Sequence, residues 1–282
     1  MRVELLFEPL VEPIQDLEAW RLQPRSGDLA EQAALGGLRT DRLGWAFASG
    51  YAAAGRRMFG SDDLWALCAT EAGGGHPRAI QTSLVEGRLH GTKGFVSLGQ
   101  WAQRLAVVAR VGERDGRPAL VVAEVDPRAP GVTLQPGAEL PFVPEIPHGV
   151  LILEGVEPLR VLPGDGYGRY LKPFRTVEDA HVMLAAGGLM LRWARLARDE
   201  ARVCALSVHL VSLAAICEAD PRSATTHLAL AGALAQSREL FASAQPSSLE
   251  ETSMLERDRR LLRVADRARE ARQARAWTSL GS

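Results

Sequence analysis

The chain has 282 residues, of which 46% are hydrophobic and 24% charged, and its formal net charge is −1. This size and balance place it among soluble globular proteins, with room for one large domain or two to three small ones. The near-zero charge gives no electrostatic reason to expect nucleic acid or an anionic membrane as a general partner.

The opening stretch, "MRVELLFEPLVEPIQD", carries acids and prolines through its apolar part and lacks the apolar centre of a signal peptide. No uninterrupted apolar run reaches the roughly 18 residues of a membrane span, so a cytoplasmic location is expected. Residues 28–59 are rich in Ala and Leu at helical spacing, with breaks near Gly36-Gly37 and Gly50, which predicts two short helices. Residues 64–161 hold short β-rich segments ("LAVVARV", "ALVVAEV", "GVLILEGV") punctuated by Gly, Pro and Asp. Strands at this density predict an antiparallel barrel or sandwich, with a hairpin turn at Asp115-Gly116. From Thr176 the texture is helical: a tandem or bent pair, a helix opening near Pro221, and a long final helix with room for an interruption. The predicted fold class is α+β: a short N-terminal helical region (1–62), a central antiparallel β-domain (63–165) and a C-terminal helical bundle (166–282). Cys68, Cys204 and Cys217 lie in apolar segments without metal-ligand spacing and read as small core residues in a reducing compartment.

Two stretches carry the functional signal. Thr70-Glu71-Ala72-Gly73-Gly74-Gly75-His76 follows an apolar run, and Gly91-Thr92-Lys93-Gly94-Phe95-Val96-Ser97-Leu98-Gly99 comes about twenty residues later. Taken alone, a glycine triplet is a turn that needs positive φ, and Phe-Val-Ser is one face of a strand. Together and in this order, the two resemble the middle domain of the acyl-CoA dehydrogenase family, with its T-E-P-G-x-G-S and G-x-K-x-[WF]-I-[TS]-N-G patterns. "GVLILEGVEPLRVLPGDGYGRY" resembles the family's exit from the β-domain, and "EDAHVMLAAGGLMLRWARLA" its small-residue helix. The resemblance covers residues 64–197.

The resemblance implies FAD as cofactor and an acyl-CoA or related small-molecule substrate. It implies that Thr70 hydrogen-bonds the flavin ring, that the Gly73–Gly75 turn brings bare N–H groups to the ligand, that Phe95 covers the ring and that Ser97 reaches its N5 edge. His76 stands where the family has a serine near the acyl or cofactor phosphates. A flavin site needs an apolar wall, donors to ring N and O atoms and close backbone approach, and these residue types supply all three.

The family's base is a Glu that removes the substrate α-proton. At its first location this chain has Ala180 and His181; Glu178 and Asp179 lie nearby, but with Thr176 they read as a helix capping box. At the second, the Arg257-Asp258 pair aligns Asp266 with the Glu. Asp266 is therefore the candidate catalytic base, and its alternative is an ion-pair ladder with Arg263 and Arg269. Arg192, Arg195, Arg198 and Arg202 could meet phosphates or lie on a solvated face. Three readings stay open: an FAD-dependent acyl thioester dehydrogenase, a flavin enzyme such as a monooxygenase that needs no α-proton base, and a non-catalytic partner subunit of a full-length dehydrogenase. The small-residue run Ala185-Ala186-Gly187-Gly188 permits close helix packing within or between chains, consistent with a homodimer or tetramer.

Overall fold

A computed structural model describes residues 1–25 and 27–281. The chain forms two compact units: Met1–Ala54 with Pro141–Glu145 and Thr176–Ser282, and Gly55–Leu140 with Ile146–Arg175.

The first unit is helical. Its elements are α1 (Leu17–Leu22), α2 (Leu29–Leu38), α3 (Leu43–Phe59), α4 (Lys172–Leu196), α5 (Glu200–Glu218), α6 (Ala224–Ala242), α7 (Leu249–Asp258) and α8 (Asp266–Leu280), with the unit boundary falling inside α3 and α4. A capping box of Asp28 and Glu31 starts α2, which then runs straight through Gly36-Gly37, and α3 runs through Gly50. The two expected helices are present and part at residues 39–42, just after Gly36-Gly37, whereas the break expected at Gly50 is absent; these glycines also serve packing. A Cβ on Gly37 would lie 1.7 Å from the Ala185 carbonyl oxygen, and one on Gly188 would lie 2.2 Å from that of Ala34. The two backbones touch, which only glycine allows. The small-residue run 185–188 is therefore used inside the chain, between α2 and α4, where alanines and leucines of both helices join one core.

Two further expectations fail in this unit. A π-helical turn (Gly166–Leu171), capped by Asp165, leads directly into α4, so Thr176 sits inside a helix and opens no capping box. Asp179 is instead buried and accepts hydrogen bonds from Arg269 at 2.7 Å and Arg272 at 2.6 Å. Nor do Arg192 and Arg195 form a phosphate face. Arg192 donates to the Val11 carbonyl (2.9 Å), and Arg195 to those of Leu6 (2.8 Å) and Glu8 (2.7 Å), so both hold the N-terminal segment. The final helix is interrupted, as a 3₁₀ turn over Arg259–Arg263 separates α7 from α8. On α5, His209 is fully buried between Gln236 and Ser237. By length and composition α5 (mean hydropathy 1.5) is the one helix among the described residues apolar enough to cross a membrane, yet this partnered histidine sits in its middle. Cys68 and Cys217 are buried, whereas Cys204 is exposed on α5.

The second unit is built on one sheet: β1 (Trp65–Cys68), β2 (Ser83–Val85), β3 (Arg88–Ser97), β4 (Arg104–Arg114), β5 (Arg117–Val125), β6 (Val132–Pro136), β7 (His148–Val156) and β8 (Arg160–Val161). The hydrogen-bonded order is β6-β7-β3-β2-β4-β5-β8, with β1 also paired to β4. Most pairs are antiparallel, as expected, but β1 and β2 meet β4 in parallel, which makes the sheet mixed. The β4–β5 hairpin turns at Asp115-Gly116, both with positive φ, the geometry of the tight turn that suits right-twisted strands. Alternate residues of the long strands close the core: Leu105, Val107 and Ala109 from β4, Ala123 and Val125 from β5, Leu151 and Leu153 from β7.

Candidate functional site

The sheet unit brings the two sequence motifs together. After β1 the chain reverses in a tight turn in which Glu71 and Gly74 exchange backbone hydrogen bonds of 3.2 and 2.8 Å. Within the triplet only Gly74 takes a left-handed φ, +94°; Gly73 and Gly75 do not. At Gly75 a Cβ would rest 3.6 Å from Thr70 Oγ1 and 3.5 Å from the Arg175 guanidinium, which itself donates to the Gly75 carbonyl at 3.0 Å. His76 is exposed and caps a short 3₁₀ turn, its Nδ1 accepting from the Arg78 backbone N–H at 3.3 Å.

The second motif lies on β3, where one extra residue changes which side chains face inward. Lys93 pairs with Leu151 and Val96 with Gly149, so β3 advances three residues while β7 advances two. This is a bulge, and it reverses the inward set. Leu89 and Lys93 are buried before it, Val96 after it, and Phe95 and Ser97 therefore emerge together on the outward face. Phe95 pays for this with a left-handed φ of 51°, and its side chain is 61% exposed. The bulge is tied to the first motif by Gly94 N–H, which donates to the Thr70 carbonyl at 2.8 Å.

A buried ion pair locks the halves beneath this face. Lys93 Nζ, with no side-chain exposure, lies 2.6 Å from Glu71 Oε1. The same carboxylate accepts from the backbone N–H groups of Gln81 (2.7 Å) and Thr82 (3.0 Å). Burial would raise the Glu71 pKa, but the hydrogen bonds from Lys93, Thr82 and Gln81 outweigh it and hold the carboxyl below its ordinary value. Sequence reasoning treated both residues only as letters of the motifs. The available signal was parity: a lysine two and four residues from Gly91 and Leu89 on a half-buried strand points inward and needs a counter-charge.

Ser97 has a partner that no motif indicated. It faces His148 across the β3–β7 pair, and its Oγ is 2.9 Å from His148 Nδ1. Burial lowers the His148 pKa below the usual histidine value. Cys68, near Lys93, is inert, because burial pushes its thiol up to about 12.

Thr70, Gly73, Gly75, His76, Phe95 and Ser97 thus all belong to the sheet unit, while Asp266 belongs to the helical one. Asp266 opens α8, and its Oδ1 accepts from Arg238 at 2.8 Å and Arg269 at 3.3 Å. The ion-pair partner besides Arg269 is Arg238 of α6, in the place expected for Arg263. Ala180 and His181 are buried in α4, with His181 Nδ1 2.8 Å from the Val177 carbonyl oxygen.

No protein-family model matches this sequence, and no curated protein does. Solved structures do match. Butyryl-CoA dehydrogenase from Megasphaera elsdenii aligns with a TM-score of 0.61 at 14% identity, over 90% of this chain and 83% of that one. The prolyl acyl carrier protein oxidase AnaB gives 0.65 at 16% identity, over 93% and 87%. The FAD complex of PigA gives 0.62 at 12% identity, over 93% and 85%. Helices before and after a bulged mixed sheet, in this order and over this share of each chain, give the protein the acyl-CoA dehydrogenase-like fold.

Proposed function

We propose that the protein is a flavoprotein that holds FAD against the outward face of β3 and serves as an oxidoreductase on the CH–CH group of an acyl thioester. The observation that carries the reading is Phe95. A bulky residue in left-handed backbone costs of order 1–2 kcal/mol. Here that strain turns an aromatic ring outward beside a hydroxyl, with most of the ring exposed. A flat ligand would bury such a ring, and isoalloxazine is flat and apolar-faced with polar edges.

The residues present fit such a group. Phe95 would cover the ring, Ser97 would donate to an edge acceptor, and Thr70 would supply a second hydroxyl from across the Gly94 link. The Gly73–Gly75 turn leaves backbone bare beside them, and Arg175 fixes its carbonyl. Bound FAD would supply an acceptor for the hydride that an acyl thioester gives up as its α-hydrogen leaves as a proton. Asp266 is our proposed base for that proton.

The two guanidinium groups on Asp266 favour a second reading, flavin chemistry on this scaffold that needs no α-proton base. That AnaB is an oxidase acting on a prolyl carrier protein agrees with such variety on one fold. The protein should purify yellow or take up added FAD with quenching of flavin fluorescence; a colourless protein that takes up none refutes both readings. Anaerobic bleaching by acyl-CoAs, abolished in Asp266→Asn, supports the dehydrogenase; bleaching unchanged by the substitution removes Asp266 from the reaction.

A further inference from the structure

The Ser97 hydroxyl has a single proton, and His148 decides where it points. The two residues are directly opposed across antiparallel strands, so their side chains leave the sheet on the same side, and their polar atoms are 2.9 Å apart. The other ring nitrogen, His148 Nε2, is buried and has no hydrogen-bond partner among the described residues. A neutral imidazole carries one proton and can place it on either nitrogen. On Nε2 the proton would create a buried N–H with no acceptor, while Nδ1 would take the serine proton for itself. On Nδ1 the proton is donated to Ser97 Oγ, and Nε2 keeps only a bare lone pair. Orphaned buried N–H groups are the rarer of the two defects. Burial also disfavours the doubly protonated ring.

We propose that His148 is a positioning residue: its Nδ1–H donates to Ser97 Oγ and frees the Ser97 O–H to donate outward, beside Phe95, to an acceptor atom on the edge of a bound flavin. The ligand half of this inference rests on the flavin reading above; the tautomer does not. A serine whose oxygen accepts from a buried donor keeps its single proton free to give to a ligand. The strand pair sets its direction before any ligand arrives, so no side-chain search is spent on binding.

The test has two parts. In the ligand-free protein, ¹⁵N NMR of the His148 ring should show a protonated Nδ1 and an unprotonated Nε2 at neutral pH. The reverse pattern, or a doubly protonated ring, overturns the proposal whether or not flavin binds. FAD titration is then read by fluorescence quenching and by the position of the visible absorption band. His148→Leu and Ser97→Ala should each weaken binding by about fivefold, the worth of one hydrogen bond, and shift the band in the same direction, with no further loss in the double variant. His148→Asn, whose amide N–H can occupy the Nδ1 position, should restore both readouts. Wild-type behaviour in His148→Leu, or independent effects of the two substitutions, overturns the positioning role. Failure of the wild-type protein to bind FAD, with the Nδ1–H tautomer present, sinks the flavin reading and the ligand half with it, and leaves the tautomer standing.

Discussion

Replacing Glu71 by Gln should unfold the sheet unit more readily than any single surface change. Lys93 has no exposed side-chain surface and its counter-charge is 2.6 Å away, so the substitution leaves a buried ammonium facing a neutral amide. Breaking a buried pair from one side costs about 3–5 kcal/mol. At about 2–4 °C per kcal/mol for a domain of this size, the melting temperature should fall by roughly 6–20 °C. Lys93→Met should cost less, because the Gln81 and Thr82 N–H groups still face the carboxylate. The double variant should recover part of the loss, as similarly shaped apolar replacements of both partners are close to neutral. Urea unfolding followed by circular dichroism gives the cycle. The sign with pH follows from the lowered Glu71 pKa: its contribution is complete above the ordinary carboxylate value of about 4.3 and is lost as pH falls through the folded value. Glu71→Gln should therefore flatten the acid limb of the stability profile. A loss below about 1 kcal/mol, or strictly additive effects in the cycle, would refute the pair's role as the lock between the motifs.

Phe95→Gly should relieve about 1–2 kcal/mol of backbone strain and lose about 1 kcal/mol of partial burial, leaving stability within about 1 kcal/mol of wild type while FAD affinity drops at least tenfold. Phe95→Ala keeps the strain and should melt below Phe95→Gly; equal melting points would remove the strain argument. Burial, together with nearby Asp258, raises the Glu145 pKa. A raised carboxyl stabilises below its unfolded value and loses that contribution as pH rises through the folded one, so Glu145→Gln should be more stable than wild type at pH 8 and lose the advantage near pH 4 in paired thermal melts. Gly188→Ala, whose Cβ would lie 2.2 Å from the Ala34 carbonyl oxygen, should cost about 1–3 kcal/mol by overpacking, and a neutral melt would show that α2 and α4 can separate freely.

Much of the architecture was legible because it depends on local signals. Alternating apolar runs and the Asp115-Gly116 turn carry the strands, and 3.6-residue spacing carries the helices. What was misread depends on partners distant in sequence. Gly50 looks like a break until α4 lies against it, where a Cβ would come within 2.6 Å of the His181 carbonyl oxygen. Thr176-x-x-Asp179 looks like a cap until the preceding π-helical turn is seen to continue into the helix, and Asp179 acquires two arginines from 90 and 93 residues away. Arg192 and Arg195 form a basic face in sequence, but backbone carbonyls of the N-terminal segment claim them. The motif residues of the candidate site could be named in advance, because their spacing resembles a known pattern. His148 could not, since only the register of β3 on β7 brings it to Ser97.

The bulge between Lys93 and Val96 also constrains the chain in a way that no single substitution reveals. A deletion of one residue there, such as Gly94, would restore simple alternation with the faces unchanged: Lys93 inward, Phe95 outward and Val96 inward, still opposite Gly149. Ser97 would stay opposite His148, and what would be lost is the Gly94 tie to the Thr70 carbonyl. An insertion would extend the bulge and loosen the Gly94 tie to Thr70. The extra residue therefore sets the link between the two motifs rather than the choice of faces: swaps among aromatic side chains at position 95 keep the Gly94 tie, whereas loss of Gly94 keeps both faces and removes the tie.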